Sequence, residues 1–425
     1  MQIAWLNVFV FCAMSIGHAA LIVAIVNRVH AWPLPVRVLH RFRQGHDLVI
    51  VILPVMFACL AGFRGPRLFF GGNWHELSFP LLVYLAVCGA VALTLPAVAV
   101  YRRLAGSSEL QVGGKSTTID LALELGFRPV GRGPYHLFTH IPGNEFLKLE
   151  VADREYRLPR LPAAWDGLSI LLLSDLHFIG TIERIWFERV IRIAQTMPAD
   201  LIVFAGDLLD REELLEWIPA TLGGLRAPLG CYFVLGNHDS YLKNTDQIRA
   251  RLEEVGWRGI AGRMQVVDHR GRPLVICGSE LPWMGTQPDL SAAPSGALRL
   301  FLSHTPDNIN WACRNGIDLM LSGHNHGGQV RLPGFGPVYS PSIYGCHYAS
   351  GVFWEPPTLL YVSRGISGKH PLRWNCLPEL TRLILRPGLA EAADPRAAAI
   401  QAAENAPAVA PQVAQVVVNE LGTLP

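Results

Sequence analysis

Residues 3 to 27 read IAWLNVFVFCAMSIGHAALIVAIVN, a run without one charged side chain. A helix needs about 20 such residues to cross the ~30 Å hydrocarbon core of a bilayer. The run reads as a retained anchor rather than a cleaved export signal, because the leading Met-Gln carries no positive charge and the apolar stretch is too long. Residues 79 to 100, FPLLVYLAVCGAVALTLPAVAV, form a second clear span. Between them, LVIVILPVMFACLAGF at 48 to 63 is shorter and holds Pro54. A third span fits it best, with a re-entrant or interfacial segment as the alternative. Composition points the same way. Of 425 residues, 50% are hydrophobic and 16% charged, against a typical charged share of about 25%. That excludes a disordered chain and argues against one soluble throughout.

Basic residues set the expected topology. Arg28, Arg37, Arg41 and Arg43 lie between the first two spans, and Arg102 and Arg103 follow the third. With three spans these flanks share one side. The positive-inside rule then makes a multi-pass protein of the inner (cytoplasmic) membrane with everything after Tyr101 in the cytoplasm. If 48–63 does not cross, that later part changes sides. His18 lies within the first span, and a neutral imidazole facing a neighbouring helix is the expected reading. No row of intramembrane charges points to transport. The formal net charge of +2 gives no reason to expect a nucleic acid polymer as partner. The eight cysteines stand singly, without a CxxC pair, which suits a reducing compartment.

Four regions follow: a transmembrane region at 1–103, a linker at 104–165, a second folded unit at 166–386 and a tail at 387–425. In the linker, SSELQVGGKST reads as flexible, and FLKLEVADREYRLP as a short hairpin turning at Ala152-Asp153. From Gly167, buried-strand runs such as LSILLLSDLH, ADLIVFAGD and GCYFVLGNHD alternate with helical stretches, which is an α/β pattern. The Ala/Pro-rich tail reads as disordered or a frayed helix.

Polar residues with metal-ligand chemistry gather where those strands end. Asp175 and His177 close the first strand at i and i+2, positions that point one way on an extended chain. Asp207, with Asp210 three residues on, closes the second, and Asn237-His238-Asp239 the third. His304 and then His324-Asn325-His326 come later. Imidazole, carboxylate and amide oxygen together suit Mn, Fe, Zn, Co or Ni better than calcium or a thiolate-bound ion. Each fragment alone has an ordinary reading: an aspartate can cap a helix, a histidine can be a hydrogen-bonded core residue, and Gly-Asn-His-Asp makes a good turn. Five in order, four of them at strand ends, do not reduce to such readings.

DLH, GDLLD, GNHD, SH and GHNH in this order resemble the calcineurin-like metallophosphoesterase superfamily, most closely its bacterial membrane-anchored phosphodiesterase-like branch. The resemblance covers roughly 166 to 386, extends to YVSRGIS and PLRWNCLPELTRLIL, and does not reach the membrane region or the tail. It implies a double β-sheet sandwich flanked by helices, here preceded by about three membrane helices. It implies two divalent ions, Mn or Zn favoured, one held by Asp175, His177, Asp207 and His326, the other by Asp207, Asn237, His304 and His324. Asp207 would bridge them, and a shared anionic ligand is what two close cations need. A bridging hydroxide would attack phosphorus while His238 protonates the leaving oxygen, with Asp210 as its orienting partner and Asp239 as a competitor for that role. Asn325 departs from the family's usual small hydroxyl residue, and Gly278-Ser279-Glu280 stands where an aspartate-containing segment is expected. Arg331, Arg364, His347, His370 and Arg373 follow the last motif as candidates for substrate contact.

Three functions fit these residues. The first is a phosphodiesterase or pyrophosphatase acting on a lipid-linked or nucleotide-type phosphate at the bilayer, since an anchor concentrates the enzyme there. The second is a phosphomonoesterase, including a phosphoprotein phosphatase. The third is a non-enzymatic membrane scaffold with a residual metal site.

Overall fold

The computed structural model describes residues 2–105 and 110–388. The expected disordered tail lies, from residue 389 onward, outside the described residues.

Helix α1 (Trp5–Val29), helix α2 (Val36–Phe57) and helix α3 (Phe79–Ala105) carry the apolar runs. All three are long and apolar enough to cross a membrane. α2 continues as a π-helical segment, Ala58–Phe63, so the doubtful middle segment is one 28-residue helix, Val36–Phe63. Pro54 sits inside it. Proline lacks the N–H of an ordinary helical residue, and a local π adjustment is one way a membrane helix absorbs that loss. His18 is buried between helices: Nε2 donates to the Val49 carbonyl of α2 at 3.2 Å, and Nδ1 meets the Tyr84 hydroxyl of α3.

The rest of the described chain is a two-sheet sandwich. Its strands and helices are, in order, β1 (Gln111–Asp120), α4 (Leu121–Leu125), β2 (Lys148–Leu158), β3 (Ser169–Leu173), α5 (Arg184–Gln195), β4 (Leu201–Ala205), α6 (Trp217–Leu222), β5 (Cys231–Val234), α7 (Asn237–Ser240), α8 (Thr245–Glu254), β6 (Arg258–Gly259) and β7 (Met264–His269). There follow β8 (Arg272–Ser279), β9 (Leu298–Ser303), α9 (Ile309–Arg314), β10 (Leu319–Ser322), β11 (Arg331–Leu332), β12 (Gly336–Pro337), β13 (Gly351–Glu355), β14 (Thr358–Val362) and β15 (Glu379–Pro387). The larger sheet has the order β1-β2-β15-β3-β4-β5-β6, the second β13-β14-β10-β9-β8-β7, and β11 and β12 form a separate two-stranded pair. β3, β4 and β5 are parallel and buried on both faces, which is why SILLL, LIVFA and CYFV are continuous apolar runs rather than alternating ones. Alternation sorts them all the same. Ile170, Leu172, Val203 and Val234 face the second sheet, while Leu171, Leu173, Phe204 and Phe233 pack on Trp186, Phe187 and Val190 of the helical layer.

Described residues 110–165 do not form the expected linker with a hairpin, and the start of the expected flexible segment, 107–109, lies outside the described residues. β1 and β2 are strands of the larger sheet, and β2 is one continuous strand through Ala152-Asp153, paired on both sides. Asp153 reads locally as a turn residue, but it accepts from Arg382 Nε at 2.9 Å and Nη2 at 3.0 Å across the sheet. Gly113-Gly114 lies within β1 rather than in a linker, just after a register shift between Gln111 and Gly113, and Gly114, at φ +153°, passes tight against the Asp153 backbone.

Candidate metal centre

The strand-end loops bring Asp175, His177, Asp207 and His326 into one cluster, and Asp207, His304 and His324 into an adjoining one. Asn237 joins the second, its Oδ1 3.1 Å from His304 Nε2. Asp207 is common to both: its Oδ2 lies 3.4 Å from His177 Nε2 and 3.4 Å from His304 Nε2. His326 Nε2 is 3.6 Å from Asp175 Oδ1.

Extended alternation, expected to align Asp175 with His177, is not what does so, and it does not align His324 with His326 either. Asp175 (φ +55°), His177 (+46°), Asp207 (+58°), His324 (+71°) and His326 (+49°) all occupy the left-handed region. Such conformations cost non-glycine residues of order 1 kcal/mol or more each and persist only where the surroundings impose them. Here those surroundings are backbone ties between loops. Asp175 N donates to Gly206 O at 2.9 Å, and His177 N to Asp207 O at 3.0 Å. The Asp207 and Asp175 carboxylates accept from His238 N at 2.9 Å and His324 N at 3.0 Å, so neither serves as a helix cap. Gly206 (φ +89°) permits the crossing, since a side chain there would begin 2.6 Å from His304 Nδ1.

Second partners fix which nitrogen of each imidazole faces inward. His304 Nδ1 donates to Ala205 O at 2.6 Å, His324 Nε2 to Pro341 O at 2.8 Å, His177 Nδ1 to Asp210 at 2.7 Å, and His326 Nδ1 to Ser367 O at 3.2 Å. That leaves lone pairs on His177 Nε2 and His326 Nε2, 3.1 Å apart, and on His304 Nε2 and His324 Nδ1, also 3.1 Å apart. Facing lone pairs repel unless a proton or cation lies between them, and outward N–H donors are the usual support of metal-bound histidine. Burial opposes charge on His304, yet Asp207 and Asp175 outweigh it and push it up to about 9. Burial and the neighbouring His304 push His324 down to about 3. Positive charge is thus drawn to the bridging Asp207, and the donor set fits divalent cations.

Asp210 faces two imidazoles. Its Oδ1 is 2.6 Å from His238 Nδ1 and its Oδ2 2.7 Å from His177 Nδ1. Burial raises its carboxyl, but His238 and His177 outweigh that and hold it well below the usual carboxylate range. It makes no capping bond to the short helix that follows. Asp239 takes no part in orienting His238: its buried carboxylate accepts from Gly236 N (2.8 Å), Asp207 N (3.0 Å), Leu208 N (3.0 Å) and Leu209 N (2.9 Å), pinning the Asp207 loop. Asn325 turns its amide to Tyr348 O at 2.8 Å. Glu280 receives Leu235 N at 2.6 Å and the Arg249 guanidinium, so it braces the strand leading to Asn237.

Of the candidate substrate contacts, His370 lines the cavity over the centre, which measures about 380 Å³. Arg364 is locked in ion pairs with Glu379 (2.6 Å) and Glu150 (2.5 Å). Arg331 donates to Gly327 O at 2.9 Å, and His347 packs on Tyr348 and Phe353. Arg373 is fully buried behind His326, donating to the carbonyls of His326 (3.0 Å) and Ser367. Sequence reasoning missed the membrane side of the cavity, where His40, Arg43 and Gln44 of α2 stand. The available signal was the basic stretch 36–47, which served only to orient the spans.

Residues 168–328 match the family model of the calcineurin-like phosphoesterases. The chain is 29% identical over 246 residues to an uncharacterized metallophosphoesterase, YkuE, of Bacillus subtilis, covering 56% of this chain and 86% of that protein. It is 29% identical over 221 residues to the phosphodiesterase YaeI of Escherichia coli, covering 51% and 82%. It is 25% identical over 288 residues to the UDP-2,3-diacylglucosamine pyrophosphatase LpxG of Chlamydia trachomatis, covering 55% and 88%.

Proposed function

We propose that the chain, whose residues 168–328 match the calcineurin-like phosphoesterase model, is a metal-dependent phosphoester hydrolase that uses two ions to cleave a phosphodiester or pyrophosphate bond at the bilayer surface. The observation that carries the dinuclear reading is Asp207 Oδ2, equidistant at 3.4 Å from an imidazole of each cluster. One ion would be held by Asp175, His177, Asp207 and His326, the other by Asp207, Asn237, His304 and His324. When bound, such a pair supplies Lewis-acid activation of water and neutralises charge on phosphoryl oxygens. With two carboxylates among these residues, an anionic phosphate is not repelled.

The remaining roles fall to the chain itself. His238 lines the cavity and gives Nδ1 to Asp210. Its Nε2 is the nitrogen free to protonate a leaving oxygen. Asp210 orients that ring and the His177 ring together. Relatives named phosphodiesterase and pyrophosphatase support the choice of reaction, and the pyrophosphatase's name supports a lipid-linked substrate. The docking of residues 27–47 against the sandwich supports three full spans: only then do the first interhelical segment and the chain after α3 share a side. The basic flanks make that side cytoplasmic. We assign 1–103 to the membrane.

The test is steady-state hydrolysis by the full chain in detergent, comparing bis(p-nitrophenyl) phosphate with p-nitrophenyl phosphate. Diester cleavage with Mn²⁺, abolished by chelator and by Asp207→Ala and strongly reduced by His238→Ala, is the expected result. Preference for the monoester would replace this reading with a phosphomonoesterase. A folded protein inert toward both with every divalent metal tried would leave the scaffold.

A further inference from the structure

The cavity over the metal centre has a wall that neither sheet supplies. Val36, Leu39, His40, Arg43, Gln44 and Asp47 line it. These fall at i, i+3, i+4, i+7, i+8 and i+11, one continuous helical stripe over three turns of α2. Also lining it are metal-centre residues, together with Lys369 and His370. The wall is fastened at identifiable points. Asn27, buried at the end of α1, accepts from Ser340 N at 3.1 Å and donates to Val338 O at 3.4 Å. Tyr339, between them, carries the Arg43 guanidinium 5.1 Å from its ring centre. Pro341, next in the same loop, holds His324 through its carbonyl. Arg43 has Asp47 at 4.0 Å as a loose, exposed partner, so its charge is not consumed by a tight ion pair.

Two features of this wall describe what it would bind. Arg43 and Lys369 place positive charge beside the pocket, apart from the metal centre. A small monoester, already neutralised by the ions, has no use for it, whereas a second anionic group next to the scissile phosphate does. Directly after Asp47, α2 turns apolar and outward-facing, with Leu48, Val51 and Ile52 58%, 60% and 40% exposed. At 1.5 Å per residue, Leu48 lies about 7.5 Å along the helix from Arg43. A headgroup held by Arg43 therefore has its tail within reach of the hydrocarbon.

We propose that α2 is part of the substrate site: Arg43, with Lys369, binds the second anionic group of a pyrophosphate-linked amphiphile whose acyl part stays in the bilayer beside α2. This rests on the hydrolase reading above and adds the residues that select the substrate.

The test uses the full chain in phosphatidylcholine nanodiscs with Mn²⁺ and two probes, CDP-dioleoylglycerol in the disc and bis(p-nitrophenyl) phosphate in solution. A charge-assisted contact of this kind is worth roughly 10- to 100-fold. Arg43→Ala should lower kcat/KM on the lipid by that factor, chiefly through KM, and at least tenfold more than on the soluble diester. Arg43→Lys should restore part of the loss. Equal losses on the two probes, or a wild type that cleaves the soluble diester but not the lipid, would overturn the proposal while leaving the hydrolase reading intact. A wild type inert to both probes with every divalent metal would bring down the hydrolase reading and this inference with it.

Discussion

The two walls of the catalytic cavity are built in opposite ways. On the sandwich side, most side chains come from loops bent into left-handed turns, largely buried and tied to one another through backbone hydrogen bonds. On the membrane side, they come from one regular helix, with Arg43 and Asp47 side chains 43% and 68% exposed. Rigid placement to a fraction of an ångström is what metal chemistry needs, and the first wall supplies it at the expense of backbone strain. The second wall is held through Asn27, Tyr339 and a few neighbours. It carries Arg43, the residue proposed above to choose the substrate.

The sharpest way to break this contrast is at the bridging carboxylate. Asp207→Asn should lower kcat on bis(p-nitrophenyl) phosphate by at least roughly 10³-fold, the several kcal/mol that metal-assisted charge stabilisation supplies. A variant within tenfold of wild type would mean that chemistry does not depend on the rigid wall. Next comes the bracing beneath that wall. Glu280→Ala leaves Arg249 and Leu235 N without their carboxylate, which should cost about 3–5 kcal/mol in urea unfolding of the full chain. A loss below about 1 kcal/mol would show that the strand leading to Asn237 is held by other contacts.

A third prediction separates sandwich stability from the site. Burial pushes Asp318 up to about 6, although Arg160 and the Arg299 N–H favour its charged form. A folded-state value above the unfolded one (about 3.9) gives stability that is fully present below about pH 4 and is lost as pH rises through about 6. The loss is about 3 kcal/mol. Asp318→Asn should therefore flatten the pH dependence of unfolding between pH 4 and 7, and a slope equal to wild type's would contradict the assignment. The smallest effect belongs to the helix wall. Asn27→Ala should cost only about 1 kcal/mol but speed hydrogen exchange at the Ser340 amide, whose N–H it accepts. Unchanged exchange there would show that Asn27 does not fasten the loop.

Legibility follows the range of the forces involved. DLH, GDLLD, GNHD and GHNH announce the chemistry because ligands arrive in short groups at strand ends, where a few neighbouring residues carry both donor type and spacing. The fully apolar runs at β3, β4 and β5 give away a buried parallel sheet for the same reason. β2 is misread because Asp153 is a turn former locally, and only its partners β1 and β15 make it a central-strand residue. Asp210 and Asp239 look interchangeable beside His238. Their roles separate only when the loops meet, one carboxylate facing two imidazoles and the other facing four backbone N–H groups.

By itself, then, the sequence determined that three segments are apolar enough to cross a membrane, that an α/β unit follows, and which side chains at the strand ends have metal-ligand chemistry, since hydropathy, periodicity and ligand chemistry are properties of contiguous residues. Only the tertiary structure decided that Asp207 stands between the two clusters, that Glu280 is a brace, and that α2 closes the cavity with Arg43. Each of those depends on segments far apart in the chain meeting, and a distance between such segments is set by packing rather than by any local pattern.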